Sequence, residues 1–229
     1  TDQVWEFWVT SKTPDGGFDA IIGNPPWDRL KMQEVEWFAA RAPAIAHATR
    51  ASDRKKLVAG LQAANDPLAA DYHRASTTAL QAARMANLDV AKGGQFPLLG
   101  GGDTNLYSLF VERAHKLVKS TGLVGLLVPS GIAADLGAAP FFKTLSGTGR
   151  LAALLDFENR RGAGRAHFFP DVDSRFKFAA LIAGAAERKF EAAECGFFLT
   201  DTEDAAIAEN SFPMKAADFL AVNPNTGTA

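Results

Sequence analysis

The sequence predicts an α/β fold, and three observations lead there. Four short apolar runs are bounded by turn formers, helix-forming stretches separate several of them, and no segment repeats internally. Each run is apolar on both pleat faces, the pattern of strands in a sheet covered by helices on each side.

The first run, Phe18-Asp19-Ala20-Ile21-Ile22, follows Asp15-Gly16-Gly17 and ends at Gly23-Asn24-Pro25-Pro26. A helical stretch over 34–91 comes next, rich in Ala, Arg, Lys, Gln and Leu. It is broken at Pro43 and at Asp66-Pro67, where a missing N–H and a fixed φ interrupt the helix. A further helix is predicted over 105–119, with Asp103 or Thr104 as its cap. Leu106, Leu109, Phe110, Arg113 and Leu117 are expected to form much of its inner stripe. The second strand, 123–128, runs from Gly122 to Pro129-Ser130-Gly131, and the third, 151–157, follows the turn Gly147-Thr148-Gly149. The fourth, 177–183, ends at Gly184. Beyond it lie one predicted strand at Phe197-Phe198-Leu199-Thr200, a short helix near 202–209 and a Pro/Asn/Gly/Thr segment.

Composition excludes several classes. The 229 residues are enough to bury a core, and 47% hydrophobic with 22% charged residues is ordinary for a globular chain of net charge −2. The single cysteine, Cys195, excludes a disulfide framework and a cysteine-based metal site, and it fits a reducing, cytoplasmic compartment. His47, His73, His115 and His167 share no metal-ligand spacing, so no metal is expected. The apolar run at 122–128 is too short to cross a bilayer, so no membrane partner is expected. The opening Thr1-Asp2-Gln3-Val4-Trp5 carries no secretory signal and reads as the start of a fragment.

Charge divides along the chain. Residues 150–190 hold eight basic side chains against five acidic ones, a balance of +3, whereas 191–229 hold seven acidic ones against Lys215 alone, a balance of −6. The shift predicts a change of structural unit near residue 190. Residues 1–190 then form one partial domain with a helical insertion at about 31–95, and 191–229 open a following linker or recognition region.

The chemistry sits at Asp19-Ala20-Ile21-Ile22-Gly23-Asn24-Pro25-Pro26-Trp27. A buried strand delivers Asn24, two prolines and Trp27 to the carboxyl edge of a sheet, where open α/β folds build their sites. Pro25 and Pro26 fix φ and remove two donors, which frees carbonyls for an outside partner, and Asn24 adds a side-chain acceptor. Two rigid acceptors beside a flat ring suit an exocyclic amine on a stacked base. The plainer alternative is a rigid turn leaving a strand, with Trp27 as core filler.

Asn24-Pro25-Pro26-Trp27 resembles the fourth motif of the amino-methyltransferases that use S-adenosylmethionine, in its N6-adenine form. With the helical insertion, the whole arrangement resembles the gamma-type N6-adenine DNA methyltransferase module of bacterial restriction–modification and phage-defence proteins. That resemblance implies that the Asn24 amide oxygen and the Pro25 carbonyl accept hydrogen bonds from the adenine amine, with Trp27 stacked on the base. Gly23 and Asn24 then border the cofactor. The target base must leave the duplex to enter such a pocket, so DNA is the implied partner.

The resemblance extends downstream. Gly102-Asp103-Thr104-Asn105-Leu106-Tyr107 is similar to the family's fifth motif, which implies cofactor contacts from Asn105 and Tyr107. His167-Phe168-Phe169-Pro170 is similar to the eighth, which implies that Phe169 packs on the face of the base opposite Trp27, with Phe168 the nearest alternative. Stacking of that kind is worth roughly 1–3 kcal/mol per contact. An aromatic run that is merely core is the competing interpretation. Arg160, Arg161, Arg165 and Arg175 flank this pocket and are candidates to neutralise phosphates.

The family's first motif, a glycine-rich turn that cradles the cofactor, is not found before Phe18. Gly147-Thr148-Gly149 leads into a strand instead of following one, and Gly100-Gly101-Gly102 lacks the Lys-Ser/Thr of a phosphate loop. The resemblance therefore implies the second half of a Rossmann-like S-adenosylmethionine-dependent methyltransferase sheet, with the main cofactor motif upstream. Expected partners are DNA and the missing N-terminal half. The isolated chain is expected to be inactive, to bind the cofactor weakly, and to self-associate through an unpaired sheet edge. Two other readings stand beside this one: a glutamine-N5 protein methyltransferase, which shares Asn-Pro-Pro-aromatic, and a non-catalytic DNA-contacting or assembly module. Trp27 in place of the usual Tyr and the long insertion argue against the first.

Overall fold

A computed structural model of the chain describes residues 16–102, 104–162 and 164–229. Strand β1 (Phe18–Gly23) leads into helices α1 (Glu34–Ala39), α2 (Pro43–Ala46), α3 (Ala51–Ala63) and α4 (Pro67–Ala86). Helix α5 (Leu106–Leu117) runs into β2 (Val118–Pro129), followed by α6 (Gly131–Ala134), α7 (Ala139–Gly147) and β3 (Leu151–Glu158). Strands β4 (Lys177–Gly184), β5 (Ala193–Leu199) and β6 (Phe212–Met214) and helix α8 (Ala216–Val222) complete the order. Two compact units result, one of Asp28–Leu106 and one of the segments on either side.

The second unit is a six-stranded mixed sheet of order β1-β2-β4-β3-β5-β6. β1 is parallel to β2 and β3 is parallel to β5, while β4 runs antiparallel between β2 and β3. Leu181 of β4 faces Leu126 on one side and Leu154 on the other. β1, β2, β3 and β5 therefore all point their carboxyl ends at one edge, where Asn24, Ser130, Asn159 and Thr200 leave the sheet. Val111, Val124, Val128, Ile132, Phe142, Leu145, Leu154, Leu181 and Phe219 are fully buried. Each such side chain is worth about 1.5–3 kcal/mol in apolar transfer. Phe142 of α7 meets Phe219 of α8 edge-on at 5.6 Å, and His115 of α5 meets Phe141 at 5.4 Å.

The helical unit has its own small core of Phe38, Ile45, Ala46 and Val58, flanked by Trp37, Leu61, Leu68 and Tyr72. Pro43 sits in the first turn of α2 and Pro67 in that of α4, where Asp66 accepts the Leu68 N–H at 2.9 Å as the N-cap. Glu34 ties α1 to the later helices: it accepts from the Tyr72 hydroxyl at 2.7 Å and from Arg54 at 3.2 Å. Burial, then the Glu34 contact, pushes the Tyr72 hydroxyl up to about 12. The chain enters and leaves this unit side by side through a bridge between Arg29 and Asn105, where the Leu30 N–H donates to Thr104 and the Leu106 N–H to Asp28.

Several expectations need correction. The inner face of α5 carries Tyr107, Ser108, Val111, Glu112 and Ala114, while Phe110 is 52% exposed and Arg113 is exposed. The buried apolar residues of this helix are Tyr107, Val111 and Ala114. Thr104 does not cap α5 through its side chain: the hydroxyl donates back to the Gly100 carbonyl at 3.0 Å. The alternative cap Asp103 lies outside the described residues. The segment 202–209 forms two 3₁₀ turns, Glu203–Ala206 and Ala208–Asn210, instead of one helix.

Nor does the unit end near 190. β5 pairs with β3 in the same sheet, Cys195 is completely buried, and Phe219 packs on α7. The charge shift marks complementarity within the unit: Asp201, 7% exposed, accepts from Arg161 at 2.7 Å and also pairs with Arg165. The acidic end of the chain thus neutralises part of the basic segment before it.

Among the described residues the two outermost strands differ. β6 has three residues, one of them Pro213, a short edge that pairs poorly with another chain. β1 is six residues long without proline and largely exposed, with Ile22 at 86%.

Candidate active site

The carboxyl end of β1 opens on a cavity of about 630 Å³. β1 contributes Phe18, Ile21 and Ile22 to its wall, α5 contributes Phe110, Arg113, Ala114 and Leu117, and β2 contributes Leu126. Gly23, Asn24, Pro25 and Pro26 line it where the strand ends. β1 places them there because its parallel register with β2, Gly23 opposite Leu126, brings the diproline corner beside the last residues of β2. Asn24 is exposed, and its carboxamide has no hydrogen-bond partner among the described residues; Pro25 is buried and Pro26 exposed. The Phe110, Arg113 and Leu117 stripe, expected inside, turns out to be a wall of this cavity. The sequence reading missed these residues as site residues because it assigned them to the core.

Trp27 is half-buried and held from three sides. Its Nε1–H donates to the Leu127 carbonyl at 3.3 Å, Phe178 lies 6.1 Å away at 30°, and Phe169 meets it edge-on with centroids 4.8 Å apart at 64°. Phe168 turns elsewhere, onto Phe157 at 5.8 Å and beneath the Arg161 guanidinium at 4.9 Å. Of the two neighbouring rings it is therefore Phe169 that faces Trp27. A flat base between parallel rings needs about 7 Å between centroids, twice the optimal carbon–carbon separation. At 4.8 Å and 64° the two rings touch edge-on, and a base stacks between them only if they part by roughly 2 Å and turn toward parallel.

The loop that carries Phe169 hangs on Asn159, a residue the sequence reading did not single out. Asn159 is 1% exposed; its Oδ1 accepts from the Phe169 N–H at 2.9 Å, and its Nδ2 donates to the carbonyls of Phe169 at 3.0 Å and Val172 at 2.9 Å. An asparagine just after a strand in a polar segment was the only available signal.

The remaining candidates are placed as follows. Tyr107 is 3% exposed on the inner face of α5, whereas Asn105 belongs to the helical unit and bridges Arg29. All four arginines considered for phosphate contact carry a carboxylate partner in this chain: Arg160 with Glu158 at 3.4 Å, Arg161 and Arg165 with Asp201, and Arg175 with Asp173 at 2.7 Å. The Arg175 hydrogen bonds hold the exposed Asp173 carboxyl well below the usual range. On the other face of β3, buried Asp156 accepts from the Ser130 hydroxyl and lies 3.8 Å from the Lys177 ammonium, which sits over the exposed Phe198 ring at 3.5 Å. Burial, then Glu194, pushes the Cys195 thiol up to about 12, so it is not a nucleophile at neutral pH. Among the described residues no group of three His, Cys, Asp or Glu is arranged to hold a metal, and no helix is long and apolar enough to cross a membrane.

No family model and no curated protein matches the chain in sequence. Among solved structures, the methyltransferase subunit of a type I restriction-modification system from Streptococcus thermophilus is similar, with TM-score 0.51 and 12% identity over 99% of this chain and 40% of that one. A modification subunit of a type I restriction enzyme from Vibrio vulnificus YJ016 scores 0.45 with 8% identity over 88% of this chain and 34% of that one. This chain therefore spans less than half the length of either subunit. The mixed α/β fold of this chain is similar to that of a restriction-modification methyltransferase subunit.

Proposed function

We propose that this chain carries the base-binding half of a DNA methyltransferase that transfers a methyl group from S-adenosylmethionine to the N6 amine of a flipped adenine. The observation that carries the reading is the exposed Asn24 carboxamide on a donor-free diproline corner, lining a cavity at the carboxyl edge of the sheet. The adenine amine is a poor nucleophile because its lone pair is delocalised into the ring. Acceptors at Asn24 Oδ1 and the Pro25 carbonyl would hold both N–H groups while the nitrogen pyramidalises, which favours the transition state over the ground state. Trp27 and Phe169 supply the aromatic faces once they part, and the Leu127 carbonyl keeps the indole in place.

S-Adenosylmethionine supplies the electrophilic methyl group when bound. Among the described residues the cavity lining is apolar beyond Asn24 and Arg113 and offers no carboxylate for the ribose hydroxyls or the ammonium group, so these residues do not by themselves fit the whole cofactor. The remaining contacts, in this reading, come from the N-terminal half of the domain docking along exposed β1. Residues 1–15, where a glycine-rich turn was sought, lie outside the described residues.

The test is Asn24→Ala in the full-length protein, scored by transfer of labelled methyl to DNA. Loss of one preorganised polar contact predicts a drop of about 10²–10³-fold. Because Asn24 is exposed, the melting temperature should hardly move. Undiminished transfer to DNA by the variant would refute the reading, and label appearing in protein instead of DNA would favour the glutamine-directed alternative.

A further inference from the structure

We propose that Asn159 is a positioning residue: by holding the backbone of Phe169 it fixes where that ring stands beside Trp27. This rests on the methyl-transfer reading above and adds to it the residue that places the second aromatic ring.

Between Glu158 and Lys177 the described chain forms neither strand nor helix, so its backbone groups need partners elsewhere. One side chain supplies many of them. Asn159 accepts the Phe169 N–H and donates to the Phe169 and Val172 carbonyls, with a longer third contact to Asp173 at 3.4 Å. Its own backbone closes the base of the loop: its N–H donates to Phe176 at 3.0 Å, and its carbonyl accepts from Phe168 at 3.3 Å. Only an amide both accepts from an N–H and donates to carbonyls in one plane. A carboxylate here would face three carbonyl oxygens, and a leucine would leave every one of these groups unpaired in a site that is 1% exposed.

The latch acts on Phe169 itself, since two of its four contacts are to that residue's backbone. Asn159 therefore decides where the Phe169 backbone, and with it the ring 4.8 Å from Trp27, is held.

The experiment is a double-mutant cycle in the full-length protein, with kcat and KM for DNA measured for the wild type, Asn159→Ser, Phe169→Ala and the double variant. Serine keeps one donor and one acceptor and limits the damage to folding. Asn159→Ser is expected to lower kcat by about 10- to 100-fold, with KM for DNA little changed. In the Phe169→Ala background the same substitution is expected to cost less than about twofold, because the ring it positions is gone. An equal cost in both backgrounds, or an unchanged kcat with only a lower melting temperature, would overturn the proposal. A measurement on the wild type needs no variant: the Phe169 amide should exchange slowly with solvent, and exchange at the rate of an unprotected loop would also overturn it. Wild-type transfer by Asn24→Ala would remove the methyl-transfer reading. Loss of transfer in Asn24→Ala beside an additive Asn159 cycle would overturn this inference alone.

Discussion

His115 predicts a measurable loss of stability in mild acid. Its Nδ1 lies 3.0 Å from Arg150 Nη2, and its ring packs on Phe141 at 5.4 Å. Burial, and then the Arg150 charge, lower its pKa from 6.5 to about 4. The folded chain thus binds a proton at His115 only below about pH 4, whereas the unfolded chain binds it below about 6.5. Between those values the unfolded state holds more protons, so stability is complete above pH 6.5 and falls as the pH drops toward 4. The full shift corresponds to about 3 kcal/mol, of which about 2 kcal/mol is lost by pH 5. That is a large share of the 5–15 kcal/mol typical of a folded domain. Carboxylates begin to titrate in the same range, so the comparison must be with His115→Gln, which accepts from Arg150 and does not ionise. Urea unfolding at pH 7.5 and pH 5 should show the wild type losing about 2 kcal/mol more than the variant. Equal losses for the two proteins would show that His115 is protonated without penalty, and the argument from its burial beside Arg150 would fail.

Two further outcomes follow from backbone packing and from the sheet edge. A Cβ added at Gly184 would lie 2.1 Å from the Arg188 carbonyl oxygen, so Gly184→Ala should lower stability by about 1–3 kcal/mol in denaturant titration; an unchanged midpoint would mean that the turn after β4 yields freely. The chain on its own should self-associate through exposed β1, and Ile22→Lys should shift sedimentation toward the monomer. Identical sedimentation of the two proteins would place any association elsewhere.

Much of the local structure was legible in the sequence. The apolar runs at 18–22, 123–128, 151–157 and 177–183 lie within β1 to β4, since a short apolar stretch between glycine or proline turns has few alternatives to a strand. The breaks at Pro43 and Asp66-Pro67 fall at the starts of α2 and α4, for the same chemical reason that proline belongs in a first turn. The position of the diproline corner, directly after β1, was legible too.

What the chain could not announce was set by partners distant in sequence. Helix α5 carries apolar residues on more than one face, and only tertiary packing determines that Tyr107 and Val111 turn inward while Phe110, Arg113, Ala114 and Leu117 line the cavity. The acidic run after residue 190 looks like a new unit in composition, yet Asp201 is the counter-charge for Arg161 and Arg165, 40 residues earlier in the Arg161 pair. Trp27 and Phe169 were both singled out from their neighbours, but their contact at 4.8 Å depends on how β4 and its preceding loop fold back over β2. Asn159 shows the principle most plainly: an unremarkable asparagine becomes the hub of a loop because burial makes each of its hydrogen bonds obligatory. Local propensity and turn chemistry act over a few residues, so the sequence alone determined where strands, helices and corners begin. Burial and charge pairing act through space, and so the tertiary structure alone decided which faces meet and which side chains remain free at the site.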